Sequence, residues 1–134
     1  MAHTGGQAMA RALRGRNAYE AGVSAENRIA QDYERRGFTV DRRRWRGARA
    51  AGGSEIDLIT RDGEGIVFVE VKTARDFARA AERLCRRQMR RLCTAAEVFL
   101  AGEPNGLLTN VRFDVALVDA AGRFEIIENA FGQA

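Results

Sequence analysis

The chain has 134 residues, 46% hydrophobic and 30% charged, with a net charge of +4. That length allows one domain with one real core, and no apolar run approaches the roughly 20 residues a membrane-spanning helix needs. The single histidine, His3, sits near the start, which argues against a Ser-His triad, a histidine base or a His-ligated zinc site in the fold.

Residues 1–15 contain glycine and arginine without periodicity and read as a disordered leader, leaving residues 16–134 as a single domain. From Asn17 to Arg36 a helix is expected. Ala18, Gly22, Ala25, Ile29 and Tyr33 recur at spacings of three and four, and Gly37 ends it. Glu26 falls at the edge of that stripe, where a solvated margin is the favoured reading over a role facing other acids.

Phe38 to Arg46 predicts a strand too basic to be buried on both faces, hence near a sheet edge. Trp45 within it suits core or rim packing before base stacking. Gly47 to Gly53 is a basic loop, consistent with either phosphate contact or plain solvation.

Glu55 to Arg61 and Ile66 to Val71 then form a hairpin about the turn Asp62–Gly65. A loop centred on Gly63 and Glu64 sets Ile59 against Phe68, Asp57 against Glu70 and Glu55 against Lys72. Side chains two apart share a face, so all three acids and the lysine lie together. Like charges directly opposed are destabilising; they need a shared proton or a cation, and oxygen-only ligands favour a hard ion such as Mg²⁺. Of the 22 basic residues only Lys72 is a lysine. Its compact, tunable ammonium stands beside these acids in a chain that otherwise uses arginine.

Phe77 to Ala101 predicts a second long helix with the apolar stripe Ala81, Leu84, Cys85, Leu92, Ala95, Ala96 and Phe99. Arg79, Arg83, Arg86, Arg87, Arg90 and Arg91 give it a basic surface. Gln88 interrupts the stripe, as a helix-to-sheet hydrogen bond or as an active-site amide. Cys85 and Cys93 lie roughly 12 Å apart along such a helix, too far to bridge, and read as reduced thiols of a cytoplasmic protein. Leu107 to Val118 is a strand able to run parallel, following as it does a long helix. Its buried Asp114 calls for a partner such as Arg112, a structural role. Arg123 to Phe131 is a last strand, at an edge.

Glu26, EID at 55–57, VFVEVKT at 67–73, RQMRRL at 87–92 and RFDV at 112–115 follow one another in an order that resembles the YraN-like family. That bacterial group is placed in the PD-(D/E)XK, or restriction-endonuclease-like, superfamily. The resemblance implies an α/β fold, a three-layer αβββαβ core with a mixed central sheet, here extended by a C-terminal strand. It implies that Asp57 is the motif aspartate and Glu70 and Lys72 the E-x-K. Glu26 then matches the early-helix glutamate and Gln88 a polar position of the second core helix. Mg²⁺ or Mn²⁺ would be held by Asp57, Glu70 and the Val71 carbonyl, with Glu26 acting through water or a second ion. Ser54, the longer basic loop before it and Arg87 depart from the family's pattern, which bears on substrate contacts more than on the metal site.

The expected function is a metal-dependent endonuclease acting on nucleic acid, DNA in the first place, with no membrane partner. An isologous homodimer would suit two-strand cleavage, though no interface stripe stands out. The alternative is a nucleic-acid-binding or adaptor protein that keeps the fold without turnover. Last comes a purely structural ion cluster, which gives a small domain little stability over apolar packing.

Overall fold

The computed structural model describes residues 2–47 and 55–131. Helix α1 (Ala2–Arg35) leads into β1 (Thr39–Arg46), β2 (Glu55–Arg61) and β3 (Ile66–Thr73). Two helices follow, α2 (Phe77–Glu82) and α3 (Arg86–Leu100), then a 3₁₀ turn (Gly106–Leu108), β4 (Val111–Val118) and β5 (Phe124–Ile127). The five strands lie in sequence order. Only β3 and β4 run parallel; every other neighbouring pair is antiparallel.

Strand alternation divides the core into two layers. Leu58, Val67, Val69, Ala116 and Val118 pack with Ala25, Ile29, Ala30 and Tyr33 of α1. Ile59, Ile66, Phe68 and Phe113 pack on the other face with Leu92, Ala95, Ala96 and Leu100 of α3. Val115 and Leu117 meet Ala80 of α2 on that same face. The molecule is therefore a three-layer α/β sandwich around a mixed sheet. As expected, β1 and β5 are its edges.

One buried polar knot fixes α1 on the sheet. Tyr33 Oη donates to Asp114 Oδ2 at 2.6 Å, Arg112 donates from Nε and NH2 at 2.8 and 3.0 Å, and the Asn129 backbone N–H adds a fourth bond at 3.0 Å. Asp114 is the structural acid the sequence suggested, and Arg112 is its partner. Burial and then the Asp114 carboxylate push the Tyr33 hydroxyl far above its ordinary range, so it stays a donor.

Two boundaries differ from the sequence reading. α1 begins at Ala2 rather than Asn17, running through the stretch read as a leader. Met9 and Leu13 there are exposed, and no core cluster includes them, so these apolar residues mark no buried face for periodicity to report. The expected single helix from Phe77 to Ala101 is two helices, broken at Arg83–Cys85. The break lets Ala80 and Leu84 pack over β4 while α3 sets off in a new direction from Cys85, which is extended at φ −120°, ψ 163°. Ala81, expected on the stripe, is exposed. Beyond Gly47, the basic loop lies outside the described residues, as does Ser54.

Candidate metal centre

The hairpin has the register its turn demands: Arg61 pairs with Ile66, Thr60 with Val67, Ile59 with Phe68 and Leu58 with Val69. The Asp62 carboxylate helps by accepting the Glu64 and Gly65 backbone N–H groups at 2.8 and 3.0 Å. The ladder then stops one pair short of Asp57 and Glu70. From there β2 continues along β1, as far as Glu55 against Arg46, and β3 continues along β4, as far as Thr73 against Val118. The two central strands thus part at the acids, and the opening between them is the floor of the site.

Asp57 bridges the opening, its Oδ2 accepting the Val71 backbone N–H at 2.8 Å in place of the missing ladder bond. Glu70 is 6% exposed. Gln88 donates to its Oε2 at 3.0 Å, and Lys72 Nζ lies 3.7 Å from the same oxygen. Gln88 thereby makes the helix-to-sheet bond, at the wall of the cleft. Burial first, then hydrogen bonding and charge from Asp57, push the Glu70 carboxyl up to about 9, with Lys72 opposing. The predicted Glu55–Lys72 opposition does not survive the splay: Glu55 pairs instead with Arg46 at 3.4 Å.

Glu55, Asp57, Glu70, Val71, Lys72, Cys85, Arg87, Gln88, Arg91 and Leu92 line an open cleft of about 570 Å³. α3 provides its far wall, presenting exposed Arg87 and Arg91. The sequence reading placed these arginines on the helix's basic surface. The signal for their cleft role is their spacing about Gln88 and Leu92, at one and three residues. Glu26 stands apart. It does not line the cleft; its Oε2 accepts from Arg44 Nε at 2.8 Å. Burial raises its carboxyl, the Arg44 bond opposes, and the charges of Asp57 and Glu55 raise it further.

Two carboxylates backed by a neutral amide and one ammonium make an oxygen-only donor set, the chemistry that suits a hard divalent cation. Among the described residues no group of three or more His, Cys, Asp or Glu side chains is gathered as a ready ligand set. A cation here would be held by two carboxylates, completed by backbone oxygen and water, as Mg²⁺ commonly is.

The model of the uncharacterised protein family UPF0102 matches residues 25–118. The chain belongs to this family. UPF0102 is the YraN-like family of the sequence resemblance, and the match runs from α1 to the end of β4, enclosing the cleft and Glu26. A UPF0102 protein of Ruegeria pomeroyi is 61% identical over 121 residues, 90% of this chain and 95% of that one. One from Cereibacter sphaeroides is 56% identical over 119 residues, 89% and 98% of the two chains. One from Roseobacter denitrificans is 49% identical over 127 residues, 95% of each. Each bears only the UPF0102 name, so the chemistry must be argued from the cleft.

Proposed function

We propose that this UPF0102 chain is a metal-dependent nuclease of the PD-(D/E)XK type, hydrolysing phosphodiester bonds of DNA. One observation carries the reading. The hairpin's strands part at Asp57 and Glu70, so that both acids, Lys72 and Gln88 converge on a cleft walled by arginine. Leaving two acids without a ladder pair, one of them with a raised carboxyl, is a poor way to stabilise a sheet. It is a reasonable way to leave a cation site open.

Asp57 and Glu70, with the Val71 carbonyl, would hold Mg²⁺ or Mn²⁺. A bound ion supplies charge stabilisation to a phosphoryl oxygen and to the leaving oxygen. The protein's own groups do the rest. Gln88 fixes the Glu70 carboxylate by holding its Oε2. Lys72 has a side chain only 16% exposed, so its ammonium is held at the cleft floor. There it neutralises phosphate charge and positions the attacking water. Arg87 and Arg91 hold the backbone, giving binding that depends on salt rather than sequence. With β2, β3 and α3 lining the cleft, the substrate phosphate enters from its open side.

The test is a cleavage screen over plasmid, branched and single-stranded DNA, with RNA alongside, in Mg²⁺, Mn²⁺ or EDTA. Wild type is expected to cut DNA only with metal present. Lys72→Ala and Asp57→Asn are each expected to lose about 10²-fold or more, the scale of a positioned acid–base or metal group. Cleavage undiminished in both variants would take these residues out of the centre. Tight metal-independent binding without cleavage of any substrate would identify the non-catalytic adaptor instead.

A further inference from the structure

Arg44 is the odd residue of β1. Its φ is +50°, a left-handed conformation that an arginine rarely takes, within a strand. Arg43 pairs with Leu58 and Trp45 with Ile56, so the register sets Arg44 across from Asp57. Its guanidinium reaches α1 and is held by Glu26 at 2.8 Å, the two side chains being 32% and 15% exposed. Asn27, next on α1, takes Arg43 through its Oδ1. Two consecutive strand residues therefore turn to the same helix, which strand alternation forbids unless the backbone twists between them. The left-handed turn at Arg44 supplies that twist. Such a conformation is unfavourable for a residue with a Cβ and persists only where its surroundings enforce it.

The charge count around Glu26 gives the twist a use. Arg44 lies across from Asp57 in the β1–β2 register and its guanidinium is bonded to Glu26, so one residue links the strand acid to the helix acid. An early-helix acid so placed would complete a second cation site with Asp57 if nothing else neutralised it. Instead a fixed cation of the chain itself is bonded to it, and no third acid joins the Asp57–Glu70 pair among the described residues.

We infer that Arg44 stands in for a second divalent ion: it occupies Glu26, so the centre binds one ion, on Asp57 and Glu70, and Glu26 is not a ligand. The inference rests on the metal reading above. Arg44 is then a positioning residue, and its removal frees Glu26 to complete a second site. Glycine and asparagine both tolerate the left-handed backbone, so Arg44→Gly and Arg44→Asn remove the guanidinium without adding strain.

Mn²⁺ binding to the full chain, followed by the loss of the free-ion electron paramagnetic resonance signal, reads the stoichiometry without reference to activity. Wild type is expected to take one ion per chain, lost in Asp57→Asn. Arg44→Gly and Arg44→Asn are each expected to take a second, weaker ion, which disappears when Glu26→Gln is added. The Glu26→Gln variant alone should keep the single ion with affinity within about threefold of wild type. Two ions in wild type, or a single ion with unchanged affinity in both Arg44 variants, overturns this inference and leaves the nuclease reading standing. An absence of bound Mn²⁺ in wild type overturns both.

Discussion

Glu70 is buried beside Asp57 with one ammonium for company, so its folded carboxyl titrates well above an unfolded one. Between the ordinary carboxylate range near 4.5 and about 9, the folded chain holds a proton that the unfolded chain has released. Stability of the metal-free protein therefore falls as pH rises through that window. Glu70→Gln removes the titration and is expected to raise metal-free stability at pH 8 by about 1–3 kcal/mol while flattening the pH dependence. Urea denaturation in EDTA at several pH values measures this. A stability difference that stays constant from pH 5 to pH 8 would contradict it. The identities of these groups were legible in the sequence, because acids in apolar strands and a sole lysine stand out from their surroundings. Arg44 was not. It sits in a run of three arginines, and nothing local marks which of them leaves its strand to meet Glu26.

At the scale of elements, the Asp114 knot and the hairpin splay do different work. Asp114 gathers α1, β4 and the turn after β5 through four bonds. Asp114→Ala strands the Arg112 charge and the Tyr33 hydroxyl and is expected to cost about 3–5 kcal/mol. Tyr33→Phe removes one donor and should cost about 1–3 kcal/mol. Denaturant midpoints check both, and the metal affinity of the folded protein should not change in Tyr33→Phe. The hairpin register was readable because one turn and one alternation determine it. Where the ladder ends was not, since that depends on β1 and β4 drawing the two strands apart. The break between α2 and α3 was hidden for a similar reason. Its apolar residues continue a helical spacing, while the demand to break comes from β4 below Leu84 and from Glu70 below Gln88.

At the scale of the whole molecule, arginine is concentrated beside the cleft. The cleft end carries Arg87 and Arg91 at the opening, with Arg79, Arg83 and Arg86 exposed on α2, the break and α3. At the hairpin turn Asp62 and Glu64 stand beside the Arg61–Glu103 ion pair. A polyanion is thereby directed to the cleft. Arg87→Ala with Arg91→Ala is expected to weaken DNA binding in the absence of metal and to reduce the slope of log affinity against log salt by about 1 to 2, one phosphate contact each. Fluorescence anisotropy over a salt series reads the slope. An unchanged slope would place the backbone elsewhere on the surface. No described helix is long and apolar enough to cross a membrane. The layer order was legible at this scale because the run of elements permits few arrangements; the concentration of arginine beside the cleft was not, because it depends on where α3 is turned.

The account turns on a divalent ion between Asp57 and Glu70. A crystal of the full chain soaked in Mn²⁺, with data collected for anomalous scattering from manganese, tests that directly. The account predicts one anomalous peak in contact with both carboxylates, absent from Asp57→Asn. No peak there, or one that persists in that variant, would contradict it.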